Sequence, residues 1–166
     1  MISMVTTKQR FSMQALSAMI DKAEYAEASD AAYRAIKALS DEGKVAQAAA
    51  NTIMFAKSFG ERWKYLKAQN MQPDADVMLK LTAEYTTKLI PLFDKALPNL
   101  AMNLIIVLAE VAAENKNFDK AHKILLDAAK GYEVRGLTEL VNDLALFDRR
   151  ISEIEKCTEL PNAARR

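Results

Sequence analysis

Apolar residues along this chain recur three and four apart rather than two apart. Phe118, Ala121, Leu125, Ala128 and Tyr132 form one such series, and Leu137, Leu140, Leu144, Phe147, Ile151 and Ile154 form another. Residues at these separations share one face of an α-helix. No alternating apolar–polar stretch bounded by hairpin turns interrupts the pattern. It predicts an all-α protein with seven helices, at 8–22, 26–41, 44–69, 73–96, 98–115, 118–134 and 137–157. Residues 1–166 read as a single helical domain with frayed ends at about 1–7 and 158–166.

Glycine and proline punctuate the helices. Gly43 and Gly136 stand where a helix ends in the left-handed conformation that other residues resist. Pro73 and Pro98 stand in first turns, where a missing N–H removes no helix bond, and Asp74 and Asp76 face the positive end of a dipole. Pro91 falls inside 73–96 and is expected to kink or break it. Connections this short set neighbouring helices antiparallel. The pairs are 8–22 with 26–41, 44–69 with 73–96, and 98–115 with 118–134. Helix 137–157 is left to cover an end, because an apolar stripe at the end of an array needs a cap.

One spacing occurs twice. Tyr25, Ala28, Ala32 and Ala35 repeat the placement of Phe118, Ala121, Leu125 and Ala128 at a distance of 93 residues, room for two hairpins of about 46. Small alanines let the helices of a hairpin approach, and the aromatic closes the end of their interface. The pattern resembles the second-helix signature of tetratricopeptide repeats over residues 15–39 and 108–134. It does not extend through 44–96. The family's first-helix features are also missing, since Ser12, Ala15, Leu16 and Met19 occupy those places. The resemblance implies antiparallel αα-hairpins stacked as a short right-handed array with a C-terminal capping helix. An irregular helical bundle is the alternative. It further implies a non-enzymatic adaptor or scaffold that holds a peptide or partner protein on a face built by the first helix of each hairpin. On that basis Lys8, Arg10, Gln14 and Asn51 are candidate groove residues, with Asn103 behind them. The family's basic clamp for a peptide carboxylate has no position-by-position counterpart.

Composition narrows the chemistry. The 23 basic and 22 acidic side chains leave a net charge of +1, so no overall field gathers nucleic acid or anionic membrane. A single cysteine, Cys157, allows no intramolecular disulfide, and packing must supply the stability. The longest apolar stretch, residues 100–113, is too short for a bilayer and contains Asn103 and Glu110. The opening MISMVTTKQRF lacks the basic run and apolar core of a signal peptide. A cytoplasmic protein is the expectation.

Several reaction classes lack their residues. Four isolated glycines build neither a P-loop nor a dinucleotide-binding fingerprint. One histidine and one cysteine fall short of the usual zinc sites. A symmetric di-iron site needs two Glu-x-x-His pairs, whereas His122 has Asp119 at the matching position and no second histidine exists. His122 reads as a surface histidine beside that acid. Cys157 reads as an incidental thiol among Glu153, Glu155 and Glu159. Glu110 and Glu114 share a face with Asn103 and read as the solvated edge of a mostly buried helix. No catalytic residue, cofactor or metal is assigned, and an enzyme is the least supported class.

Two surfaces invite partners. In residues 55–69, Lys57, Arg62, Lys64 and Lys67 interleave with Phe55, Phe59, Trp63 and Tyr65. Basic residues among aromatics suit an acidic peptide, or single-stranded nucleic acid through residues 57–67. Arg62, Lys64 and Lys67 are the named candidates. Against this, Phe55, Phe59, Trp63 and Leu66 at spacings of 4, 4 and 3 also describe a core stripe. The second surface is the heptad-like seam of helix 137–157. It closes within the chain or joins two copies as a self-assembling homo-oligomer, and closure within the chain is favoured because Gly136 permits a tight return.

Overall fold

The computed structural model describes residues 11–159. Lys8 and Arg10, and the beginning of the expected helix 8–22, lie outside the described residues. The described chain holds seven helices: α1 Met13–Asp21, α2 Tyr25–Asp41, α3 Val45–Ala68, α4 Gln72–Phe93, α5 Pro98–Glu114, α6 Phe118–Val134 and α7 Thr138–Glu159. No strand occurs among the described residues, and none of these helices is long and apolar enough to cross a membrane.

Three boundaries differ from expectation for local reasons. The first helix begins at Met13, because Ser12 adopts an extended conformation and its hydroxyl accepts the Ala15 N–H at 3.2 Å, capping the turn there. Pro91 does not break α4, which continues to Phe93 and ends with Asp94 N–H donating to the Ile90 carbonyl at 3.1 Å. Pro91 forgoes its own N–H bond, but only Leu92 and Phe93 follow it in α4, so no long helical segment is displaced by its ring. The last helix runs through Glu159, past the point where fraying was expected.

Five of the six connections are the same three-residue turn. Its middle residue has positive φ: Ala23 at 60°, Gly43 at 77°, Asn70 at 58°, Lys116 at 60° and Gly136 at 72°. In each, that residue's N–H reaches back three residues and the next N–H reaches back five. Ala23 donates to the Ile20 carbonyl at 3.0 Å and Glu24 to Met19 at 2.9 Å; Lys116 donates to Ala113 and Asn117 to Ala112, both at 2.9 Å. These bonds satisfy carbonyls that a helix end leaves orphaned. The following residue already serves as N-cap of the next helix. Only at α6 does that residue add a side-chain cap, Asn117 Oδ1 accepting the Lys120 N–H at 3.2 Å. Ala23, Asn70 and Lys116 stand 47 and 46 residues apart, and α2 and α6, each of 17 residues, match at an offset of 93.

The exceptional connection, 94–97, is where the chain divides into two compact units, 1–96 and 97–166. In the first unit α2 packs on α1, α3 and α4, and α3 packs on α4. Phe55, Phe59, Tyr85, Leu89 and Phe93 fill its centre. Phe59 meets Tyr85 edge to face at 5.3 Å, and Phe11 meets Phe55 the same way at 5.7 Å. The Tyr85 hydroxyl is buried with no hydrogen-bond partner among the described residues, and burial pushes its pKa up.

The second unit is α5, α6 and α7. Ala109, Ala112 and Ala113 of α5 and Ala121 of α6 are all buried, which lets the two backbones approach. Ala128, expected at the same tight interface, is only half-buried. The seam of α7 closes inward: Leu140, Leu144 and Ile151 are buried, and Leu137 and Phe147 are half-buried against the same core. Each buried Leu or Ile contributes about 1.5–3 kcal/mol. Ile154 leaves the seam and is 49% exposed.

The turn geometry makes a direct prediction. Lys116 holds φ = 60° without being glycine, a conformation that costs an L-residue about 1 kcal/mol. Lys116→Gly is expected to raise the denaturant midpoint by the equivalent of about 0.5 kcal/mol, once the greater freedom of unfolded glycine is subtracted. Gly136→Ala is expected to lower it. A lower midpoint for Lys116→Gly would mean that the lysine side chain stabilises the turn more than its backbone strains it.

Candidate binding surface

Helix α3 carries the basic–aromatic segment, and its rotation sorts those residues onto different faces. Phe55, Phe59 and Leu66 are buried and form the core stripe, with Trp63 half-buried at its margin. Ile53, Lys57 and Lys64 stand at i, i+4 and i+11, so they share the outward face. Ile53 is 60% exposed and Met54 beside it 43%. A β-branched apolar side chain left in water among lysines is the most unusual feature of this face.

Arg62 is engaged inside its own unit. Its Nε donates to the Tyr25 hydroxyl at 3.1 Å, and its guanidinium lies 5.8 Å from the Tyr25 ring centre and 5.0 Å from that of Tyr65. The fork thereby ties α3 to the first residue of α2. On the other flank, Lys67 Nζ stands 4.8 Å from the Trp63 ring centre. Both aromatics that reach the surface thus carry a cation of their own helix on one face. That geometry competes with base stacking.

The remaining candidates are dispersed. Gln14 is exposed on α1, Asn51 is half-buried on α3, and Lys64 is exposed on the outer face with Ile53. Asn51 lies on the Arg62 flank of α3 rather than on that outer face. Asn103, Glu110 and Glu114 are exposed along one edge of α5. Of the five named candidates among the described residues, Lys64 and Lys67 fall on the outer face of α3, Lys67 at its Trp63 edge. The sequence reading missed Ile53 and Met54. The signal is the placement of Ile53 and Met54 off the core stripe of Phe55, Phe59 and Leu66, with Lys57 and Lys64.

His122 is not paired with Asp119. Its Nδ1 lies 2.5 Å from Asp148 Oδ1 and its Nε2 3.1 Å from Glu155 Oε1, both on α7. His122 stands 14 residues before Gly136, so the antiparallel return sets it opposite position 150, between those two acids. With a carboxylate on each ring nitrogen, both nitrogens donate and the imidazolium is the favoured form. The hydrogen bond to Asp148 raises the pKa above the ordinary 6.5, burial works against it, and Glu155 adds to the rise. The arrangement is an ionic clip between α6 and α7.

The sign of the pH effect follows. A folded-state pKa above the unfolded value gives a stabilisation that is complete below the unfolded pKa, near 6.5. It is lost as pH rises through the folded pKa. After screening by water the loss is expected to be about 1 kcal/mol or less. Amide hydrogen exchange in α6 and α7, corrected for its intrinsic pH dependence, should show protection falling across this window. His122→Gln should flatten the dependence. Equal slopes in both proteins would show that the clip contributes nothing to holding the helices together.

Comparison with protein-family models, curated proteins and solved structures returns no match to this chain.

Proposed function

We propose that this chain is a non-enzymatic interaction module, an adaptor or scaffold that holds a peptide or partner protein on the surface of antiparallel αα-hairpins. The observation that carries the reading is the recurrence of one left-handed turn at Ala23, Asn70 and Lys116, 47 and 46 residues apart. Each of these turns joins the two helices of a hairpin. Recurring helix pairs of this kind are the building units of helical arrays, whose function is to present an extended surface. Within the first unit α1 touches α3 and α2 touches α4, as the like helices of stacked hairpins do. A tetratricopeptide-like, right-handed stacking with α7 as cap is part of this proposal, and so is a cytoplasmic setting.

The first helices of the hairpins then carry the binding face. On α3 it consists of Ile53 and Met54 for apolar contact and Lys57 and Lys64 for charge. An acidic peptide with at least one large apolar side chain fits that chemistry. Gln14 belongs to a first helix as well, whereas Asn51, on the Arg62 flank of α3, stands apart from this face.

The test uses the full chain as bait in an extract, with a photoreactive residue at Ile53. A partner should cross-link there, and Met54→Asp with Lys64→Glu should abolish its capture while leaving the helix content unchanged. If the same partners are recovered at undiminished yield with the double variant, the α3 face is not the binding surface.

A further inference from the structure

The inward face of α7 is satisfied by the second unit's core and by His122, while its outward face mixes apolar and charged side chains. Leu146 is 50% exposed, and Arg150, Glu153 and Cys157 are exposed with it. These four residues follow one another at spacings of 4, 3 and 4, which keeps them on one stripe. Ile154 flanks the stripe, and Arg150 leans over the half-buried Phe147 at 6.0 Å from its ring centre. An open groove of about 550 Å³ lies at the C-terminal end, lined by Arg150, Glu153, Ile154, Cys157 and Thr158.

We propose that two copies of this chain pair through this face, with their α7 helices antiparallel about a two-fold axis passing between Ile151 and Ser152. The stripe is self-complementary under that operation. The spacing 4, 3, 4 reads the same in both directions, so reversal sets Leu146 against Cys157 of the second copy and Arg150 against its Glu153. Each contact occurs twice, as an isologous interface requires. A parallel pair would instead set Arg150 on Arg150 and Glu153 on Glu153. A register that joins Leu146 to Ile154 would again oppose the two Arg150 side chains. Only the proposed register places opposite charges together and apolar residues together. Leu146 of the second copy falls beside Cys157, on the shallow surface lined by Arg150, Glu153, Ile154 and Thr158.

The size of the contact sets its strength. Eleven residues of helix separate Leu146 from Cys157, a rise of about 16 Å. A single helix pair of that length lies at the low end of specific interfaces. The dimer is therefore a concentration-dependent one and not an obligate assembly.

Sedimentation equilibrium of the full chain should show a reversible monomer–dimer equilibrium. Arg150→Glu is expected to raise the dissociation constant at least tenfold, and Glu153→Arg likewise. The double variant Arg150→Glu with Glu153→Arg should restore dimerisation, because the charges exchange across the axis. Leu146→Cys tests the register: mild oxidation should join the introduced thiol to Cys157 of the second copy. The two positions cannot close a disulfide within one helix at that separation. A monomer at every concentration up to about 1 mM would overturn the proposal. So would a dimer that is indifferent to both single charge reversals, or one in which Leu146→Cys gives no cross-link.

Discussion

At the end of five helices, two backbone amides turn back onto the helix they have just left. The first belongs to a residue at positive φ, the second to the N-cap of the next helix. Because both donors come from the backbone, the turn needs no particular side chain. It needs only one residue to accept a left-handed conformation. Once formed, it leaves no slack between helices. The chain must return alongside the helix it has just made, and the register of every facing pair is fixed. The placement of Ala121 in the closely packed α5–α6 core follows from the turn at Lys116, and the meeting of His122 with Asp148 and Glu155 follows from the turn at Gly136. The one connection built differently, at 94–97, is also the one at which the chain divides into two units.

Much of this was legible in the sequence because helical spacing is a property of side-chain burial, which every residue reports. The helix count followed from the 3-and-4 pattern, the antiparallel neighbours from the short connections, and the inward closure of the α7 seam from the tight return that Gly136 permits. The turns were legible only where glycine marked them, at Gly43 and Gly136. Ala23, Asn70 and Lys116 take the same conformation without glycine. There the packing of two helices outweighs a local preference of about 1 kcal/mol, and local preference is all that a single residue displays. Pro91 misled for the complementary reason. Its effect depends on how much helix follows it, and the end of α4 two residues later is set by tertiary packing rather than by local sequence.

The candidate surface was less legible than the fold. Charge and aromaticity in residues 55–69 were visible, but the faces they occupy depend on rotation about α3. That rotation sends Phe55 and Phe59 inward, turns Arg62 to Tyr25 and leaves Lys64 outward with Lys57 and Ile53. Tyr25 lies 37 residues from Arg62. No local pattern announces a contact at that distance, although the aromatic itself had been singled out for closing a helix interface. The His122 clip was missed for the same reason. Asp119 is its neighbour on the helix, while the acids that hold it come from the returning chain.

The two proposed surfaces make no demand on one another. The α3 face belongs to the first unit and the α7 stripe to the second, and they share no residue. If both proposals hold, a dimer carries two copies of the proposed α3 face. For a partner that is itself repeated, the second engagement becomes intramolecular, and avidity exceeds the affinity of either face without any new contact. A weak α7 contact suits such a role, since it lets partner concentration and chain concentration jointly decide when the divalent form prevails. An obligate interface would fix the valency at two under all conditions. The modest length of the exposed stripe and its mixture of charge with apolar surface fit the adjustable arrangement.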